Sequence, residues 1–374
     1  MKILVTGGAG FIGSHLVDAL LARGHRVRVF DNLAPQVHGD SQRIPDYLNR
    51  DAEIVVGDIR DRGALKKAID GVEVIYHHAA AVGVGQSMYQ IERYVRANSL
   101  GTATLLDIIV NEKTRVEKLI LASSMSNYGE GKYLCAWCGV VYPKLRRIEQ
   151  LKCRDWEARC PSCDLPLSPL PTDEEKPLFP TSIYATTKRD QEEMFCEIGR
   201  AYGISTIILR YFNVYGPRQA LSNPYTGVIA IFLNCILGGV FPVIFEDGQQ
   251  SRDFIHVQDI VQANLLALER YERGIEIFNV GTGVPTNLLQ LFQLLHRLLW
   301  IENGRAVKPS GRFRAGDIRH CFADISKIRS TLGFAPRVTL KDGIEGLASW
   351  LKAHIPSNVI ARAMSELEAR GLVG

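Results

Sequence analysis

Tyr184 and Lys188 stand four residues apart in the run Tyr184-Ala185-Thr186-Thr187-Lys188. On a helix this spacing sets a phenol and an ammonium one turn apart on one face. A phenol normally titrates near ~10, and an adjacent cation favours its ionised form. The pair could therefore take a hydroxyl proton near neutral pH. Ser123-Ser124 closes the apolar run KLILASS and offers a hydroxyl at a strand end. A second constellation follows the first apolar run: Thr6-Gly7-Gly8-Ala9-Gly10-Phe11-Ile12-Gly13. It contains G-x-G-x-x-G (Gly8, Gly10, Gly13) and G-x-x-G-x-x-G (Gly7, Gly10, Gly13), the glycine spacing that lets backbone approach a pyrophosphate at a helix N-terminus. Asp31, 18 residues past Gly13, ends the second strand-like run. A carboxylate there accepts from a ribose diol and repels a 2′-phosphate, which favours NAD over NADP. Asp58, in Gly57-Asp58-Ile59, is a further cofactor candidate, with a turn-forming role as the alternative.

The third constellation is Cys135-x2-Cys138 and Cys160-x2-Cys163, separated by 21 residues. Two such knuckles predict a zinc ribbon whose four thiolates close a tetrahedral, structural site. Cys153 is left as a spare. A redox dithiol pair and a nucleic-acid-reading ribbon are the alternatives. MKILVTG enters a strand at once and leaves no room for a secretion signal. Reduced thiols and a cytoplasmic location are expected. The longest apolar stretch, Val228 to Phe241, is interrupted by Asn234 and falls short of the ~20 residues that span a bilayer.

These groups need a scaffold. KILVT, RVRVF, EIVVG, VEVIYH, KLILASS and STIILRYFN are short β-branched runs separated by helical stretches at about 11–22 and 87–111. Such alternation predicts an α/β fold with a doubly wound parallel sheet buried on both faces. More than 50 residues separate Ser124 from the helix near 182–201, so 131–170 is read as an inserted module. The expected division is a Rossmann-type domain (1–130 and 171–215), the cysteine insert (131–170), and a smaller C-terminal lobe (216–374), with 253–280 returning to the first. Helices near 225–238, 257–271, 286–300 and 340–353, and short strands at PVIF and RDFIHV, are expected in that lobe. Hydrophobic residues make up 46% of the 374 and charged residues 22%, which excludes a disordered, collagen-like or coiled-coil chain. The 44 Lys+Arg against 40 Asp+Glu leave a formal +4, too little for a dedicated nucleic-acid binder.

TGGAGFIG, Asp31, Asp58, HHAAA at 77–81, Asn98, SSMSNYG and YATTK together resemble an extended short-chain dehydrogenase/reductase acting on a nucleotide sugar. RYFNVYGPRQ, SRDFIHVQD, FNVGTG and RAGD carry the resemblance through the C-terminal half. It implies Tyr184 as base, Lys188 as holder of the nicotinamide ribose, and Ser124 as the group that orients the sugar hydroxyl. NAD would lie against Gly7, Gly10, Phe11, Ile12, Gly13, Asp31, Asn32, Asp58, Ile59, Ala79, Ala80, Ala81, Asn98, Ser123 and Tyr211. The sugar nucleotide would meet Val84, Met125, Ser126, Asn213, Val228, Ile244 and Asp317, with Arg252 and Arg314 at its diphosphate. Segments 223–228 and 242–245 would line the nucleotide pocket. Ion pairs with Asp253 and Asp317 are the alternative for the two arginines. A homodimer is implied, since relatives pair through two helices.

Dehydratases of this family carry Asp-Glu after the catalytic hydroxyl residue, and decarboxylases a glutamate there. This chain has Met125 and Ser126. Reversible oxidation at C4 remains, and the resemblance is strongest to the dTDP-L-rhamnose 4-epimerase branch. UDP-glucose/UDP-galactose-type 4-epimerisation and 4-keto-sugar reduction are the alternatives. A non-catalytic dinucleotide-fold sensor is a different class, disfavoured because it would not need Ser124, Tyr184 and Lys188 together. The insert is expected near the rim of the site, as a lid or an interface.

Overall fold

The computed structural model describes residues 1–39, 43–219, 227–237, 241–299, 308–314 and 316–352. Of the sequence expectations, segment 223–226, the Ala315 of RAGD and everything past 352 lie outside these residues.

Seven parallel strands form the central sheet: β1 (Lys2–Thr6), β2 (Arg26–Asp31), β3 (Glu53–Val56), β4 (Val74–His77), β5 (Lys118–Ser124), β6 (Ser205–Tyr211) and β7 (Ile275–Val280). Their spatial order is β7-β6-β5-β4-β1-β2-β3. The chain winds outward in both directions from β1 and β4, and in such sheets ligands bind outside the strands' C-terminal ends at that switch point. Alternate side chains enter opposite cores, as the period of a strand requires. Ile3, Val5, Tyr76, Ile120 and Leu209 pack on one face. Leu4, Ile75, Leu119, Leu121 and Ile208 pack on the other.

Two sequence expectations need correction. The single helical stretch over 87–111 is instead four pieces: Val84–Ser87, Ile91–Tyr94, a π-helical turn at Val95–Leu100, and Gly101–Asn111. The wide turn carries Asn98, whose amide is turned inward onto Ala81; such turns concentrate at functional sites. PVIF is not a strand. Pro242 lacks an N–H for a ladder, and the Ile244 carbonyl is instead taken by the N–H and hydroxyl of Ser310.

Within the insert, Lys132–Cys135 pairs antiparallel with Gly139–Val141 and with Ser168–Leu170. Its core is small: Tyr133, Cys135, Ala158, Cys160 and Leu167. The strand Ser251–His256 joins Asn213–Tyr215, Pro285–Asn287 and His320–Cys321 in a separate sheet. Among the described residues no helix is long and apolar enough to cross a membrane.

Candidate active site

The C-terminal ends of β1, β2, β4, β5 and β6 open onto one cavity of about 550 Å³. Its floor is the glycine loop. Gly7 has φ +70°, and a Cβ there would lie 2.7 Å from the Ala79 nitrogen. At Gly13 a Cβ would lie 2.3 Å from the Gly7 carbonyl oxygen. Gly8 serves packing, since its Cβ would press on the Val5 carbonyl and the Val29 side chain. Gly7, Gly10 and Gly13 line the cavity and Gly8 does not, so the second of the two overlapping glycine patterns describes the loop. Helix Phe11–Ala22 starts directly from it and leaves its first N–H groups without helical partners.

Asp31 accepts from the N–H groups of Ala9 (3.1 Å) and Leu33 (2.9 Å) and faces His38 Nε2 at 3.8 Å. Burial raises its carboxyl above the usual range. Asp58 accepts from Asn32 at 3.1 Å and from both arms of Arg60 at 2.7 Å. Those bonds hold it well below the usual carboxylate range.

Ser182 caps helix Ile183–Tyr202 by accepting from the Ala185 N–H, and Gly203 in the left-handed region ends it. Tyr184 and Lys188 thus sit in the first two turns of a well-terminated helix. Both line the cavity beside Ala79, Ala80, Ala81 and Ser123. Lys188 Nζ donates to the Ala122 carbonyl at 2.8 Å. Burial pushes the Tyr184 phenol up to about 12, opposed by the neighbouring Ser124 hydroxyl. Burial also pulls the Lys188 ammonium down to about 7, opposed by Glu192. The spacing alone suggests that the lysine lowers the phenol; in the cavity burial dominates both groups, opposed by Ser124 at Tyr184 and by Glu192 at Lys188. Asn98 fixes the opposite wall: its Oδ1 accepts from the Ala81 N–H (2.7 Å), and its Nδ2 donates to the Ala81 carbonyl (3.1 Å) and to Thr187 Oγ1 (2.9 Å).

The structure brings Phe11, Ile12, Asn32, Ile59, Tyr211, Asn213 and Val228 to the same cavity. Other predicted residues do not reach its wall. Ser124, Met125 and Ser126 sit just behind Tyr184, with the Ser124 and Ser126 hydroxyls 2.6 Å apart. Val84 is exposed and Ile244 is buried in the core of the C-terminal lobe. Arg252 has both terminal nitrogens engaged, by Asp317 Oδ1 (2.9 Å) and the carbonyls of Ser251, Ile318 and Arg319. Arg252 and Asp317 are therefore an ion pair in this structure. Asp253 instead bonds the backbone of Thr282, Gly283 and Ala323. Arg314 stacks on the Phe245 ring at 4.2 Å. Arg252 nevertheless points to the same face of its strand as Phe254, two residues on, which lines the cavity.

Sequence reasoning missed Gln36, His38, Arg60, His78, Arg93 and Gln219 on the cavity wall. None belongs to a spaced motif; HHAAA did carry His78. The residues present fit a dinucleotide. The glycine cradle has no room for a side chain, and three buried wall atoms, His78 Nε2, Asn213 Oδ1 and Gln219 Oε1, have no hydrogen-bond partner among the described residues.

The insert contributes no residue to the described cavity wall. The Sγ atoms of Cys135, Cys138, Cys160 and Cys163 lie within 4.8 Å of one another. Cys135 and Cys163 are 3.5 Å apart. Zinc–sulfur bonds of ~2.3 Å at tetrahedral angles require sulfur separations of ~3.8 Å, so the donor set suits that ion.

The chain is 37% identical over 358 residues to the dTDP-L-rhamnose 4-epimerase of Burkholderia thailandensis, covering 94% of each. It superposes on the Thermotoga maritima UDP-glucose 4-epimerase, solved with UDP-glucose, with TM-score 0.76, 33% identity and coverage of 94% and 99%. For the Bacillus cereus UDP-glucuronic acid 4-epimerase, in complex with UDP-glucuronic acid and NAD, the TM-score is 0.75, the identity 28% and the coverage again 94% and 99%. The model of the NAD dependent epimerase/dehydratase family matches residues 3–137 and 163–281, leaving out most of the cysteine insert. A glycine cradle, a carboxylate at the end of β2 and a Tyr-Lys-Ser group on one wound sheet are thus joined by similarity along nearly the whole length, and the chain belongs to the NAD dependent epimerase/dehydratase family.

Proposed function

We propose that this protein interconverts the C4 epimers of a nucleotide sugar, with dTDP-L-rhamnose and its 4-epimer as the pair. The observation that carries the reading is Tyr184 and Lys188 together on the wall of the glycine-loop cavity, with Ser124 near enough to Tyr184 to favour its ionised form, and with Met125 and Ser126 where a dehydratase or decarboxylase needs acids. Bound NAD supplies a hydride acceptor at C4 and then a donor. Gly7, Gly10 and Gly13 admit its pyrophosphate, Asp31 accepts from a ribose hydroxyl, and Lys188 holds the other ribose. Ser124 orients the sugar hydroxyl and Tyr184 Oη takes its proton, then returns it. A reversible proton transfer of this kind contributes ~10²–10⁴ in rate. The 4-keto sugar turns over between the two hydride steps, and Asn213 contacts the substrate.

The likeness to the Burkholderia enzyme supports the dTDP-sugar, and that to the Thermotoga enzyme supports UDP-glucose as the second reading. Four thiolates are proposed to hold one zinc ion with no open position. Five buried side chains cannot stabilise the insert alone, so metal would supply folding energy there. We place the protein in the cytoplasm as a homodimer. The decisive experiment incubates it with UDP- and dTDP-sugars and follows equilibration at C4. Equilibration of UDP-glucose with no turnover of dTDP-L-rhamnose would replace the first reading by the second.

A further inference from the structure

Two residues between the cysteine pairs look away from the ribbon. The Arg146 side chain is 2% exposed. It donates to both Glu246 carboxylate oxygens at 2.9 Å and, from Nη2, to the Asp317 carbonyl at 3.1 Å. Glu157, three residues before Cys160, accepts from Arg319 at 2.6 Å and lies 3.3 Å from His320 Nε2. Arg319 is fully buried and also reaches Glu246 and Asp247. The segment 317–320 is therefore gripped from two sides. The insert holds Asp317, Arg319 and His320 from outside. Arg252, two residues before the cavity-lining Phe254 on the same strand, takes the Asp317 carboxylate and the carbonyls of Ile318 and Arg319.

We propose that Arg146 and Glu157 are positioning residues for the substrate diphosphate: they set segment 317–320, through it Arg252, and so couple metal closure of the four cysteines to nucleotide binding. This rests on the nucleotide-sugar reading above. Each end of the 21 residues that bear Arg146 and Glu157 is pinned by a cysteine pair, so opening the pairs frees the brace. Coupling of this kind is reciprocal: bound nucleotide must raise the affinity for the metal by the same factor that metal raises nucleotide affinity.

The test uses the full chain, zinc-loaded and then stripped by a chelator, with no nucleotide present. Amide hydrogen exchange should rise at least tenfold in 132–170 and at Ile318, Arg319 and His320, and stay constant over Gly10–Ser14. An opened insert with unchanged exchange at 318–320 overturns the brace. Glu157→Gln, partly exposed and so tolerant of change, should raise KM for the nucleotide sugar at least fivefold with kcat within twofold; an unchanged KM overturns it. Absence of any C4 equilibration by the unaltered chain would remove the functional reading alone, because the exchange experiment needs no substrate.

Discussion

Asn98→Leu should weaken the protein by about 3 kcal/mol and spoil cofactor binding together. The side chain is fully buried and makes three hydrogen bonds, two to Ala81 and one to Thr187. A buried hydrogen bond is worth ~1 kcal/mol net, and leucine is close enough in volume that a cavity adds little. Thr187 Oγ1 keeps its donation to the Tyr184 carbonyl at 2.9 Å, so the uncompensated loss falls on the Ala81 N–H and C=O. Both belong to the wall that NAD would face. Equilibrium urea unfolding should report the ~3 kcal/mol. NAD titration should show at least a tenfold rise in Kd, since ~1.4 kcal/mol directed at the wall suffices for that. Thr187→Val removes a shared partner, so the double variant should fall ~1 kcal/mol short of additivity. An unfolding free energy within 1 kcal/mol of the parent, with unchanged NAD affinity, would refute the claim that the π-helical turn exists to aim this amide.

Tyr184→Phe should lower turnover ~10²–10⁴-fold while the purified protein retains the NAD content of the parent; near-parental turnover would disqualify the phenol as base. Lys188 sits below its unfolded value, so between about 7 and the ordinary lysine range the unfolded chain binds the extra proton and stability rises with pH. Urea unfolding of the cofactor-free chain at pH 7 and pH 9 should show that rise, and Lys188→Met should flatten it. Asp31→Ser removes the carboxylate that repels a 2′-phosphate, so the NAD-over-NADP preference should drop at least tenfold in a binding titration. Metal analysis should find one zinc per chain, with Cys135, Cys138, Cys160 and Cys163 slow to react with a thiol reagent until chelator is added.

The wound sheet was legible because β-branched runs and the glycine loop encode themselves locally. Tyr184, Lys188 and Ser124 were legible for the same reason: each sits at a fixed offset in a short motif on one element. What escaped depends on partners distant in sequence. Glu246 meets Arg146 across 100 residues and Arg319 meets Glu157 across 162; no periodicity announces either. Arg252 and Asp317 could be named but not paired, since the sequence alone offered both a diphosphate and a carboxylate. The helix break at Val95–Leu100 was hidden because its residues suit a helix and only the inward amide of Asn98 demands the extra residue per turn.

The two ends of the insert meet. Lys132 pairs with Leu170, and the Lys132 N–H donates to Thr172 Oγ1 at 3.1 Å. A loop closed by such a stem adds little closure entropy to the polypeptide that carries it. The path from Ser124 to Tyr184 is thus set by the stem and not by what hangs from it. Its contacts are also local in sequence, and local contacts form fast. A nascent chain can complete this loop before Ile183–Tyr202, β6 and β7 leave the ribosome. The ribbon would then stand as a finished template when 317–320 is made, and translation order would favour assembly of the brace from the insert outward.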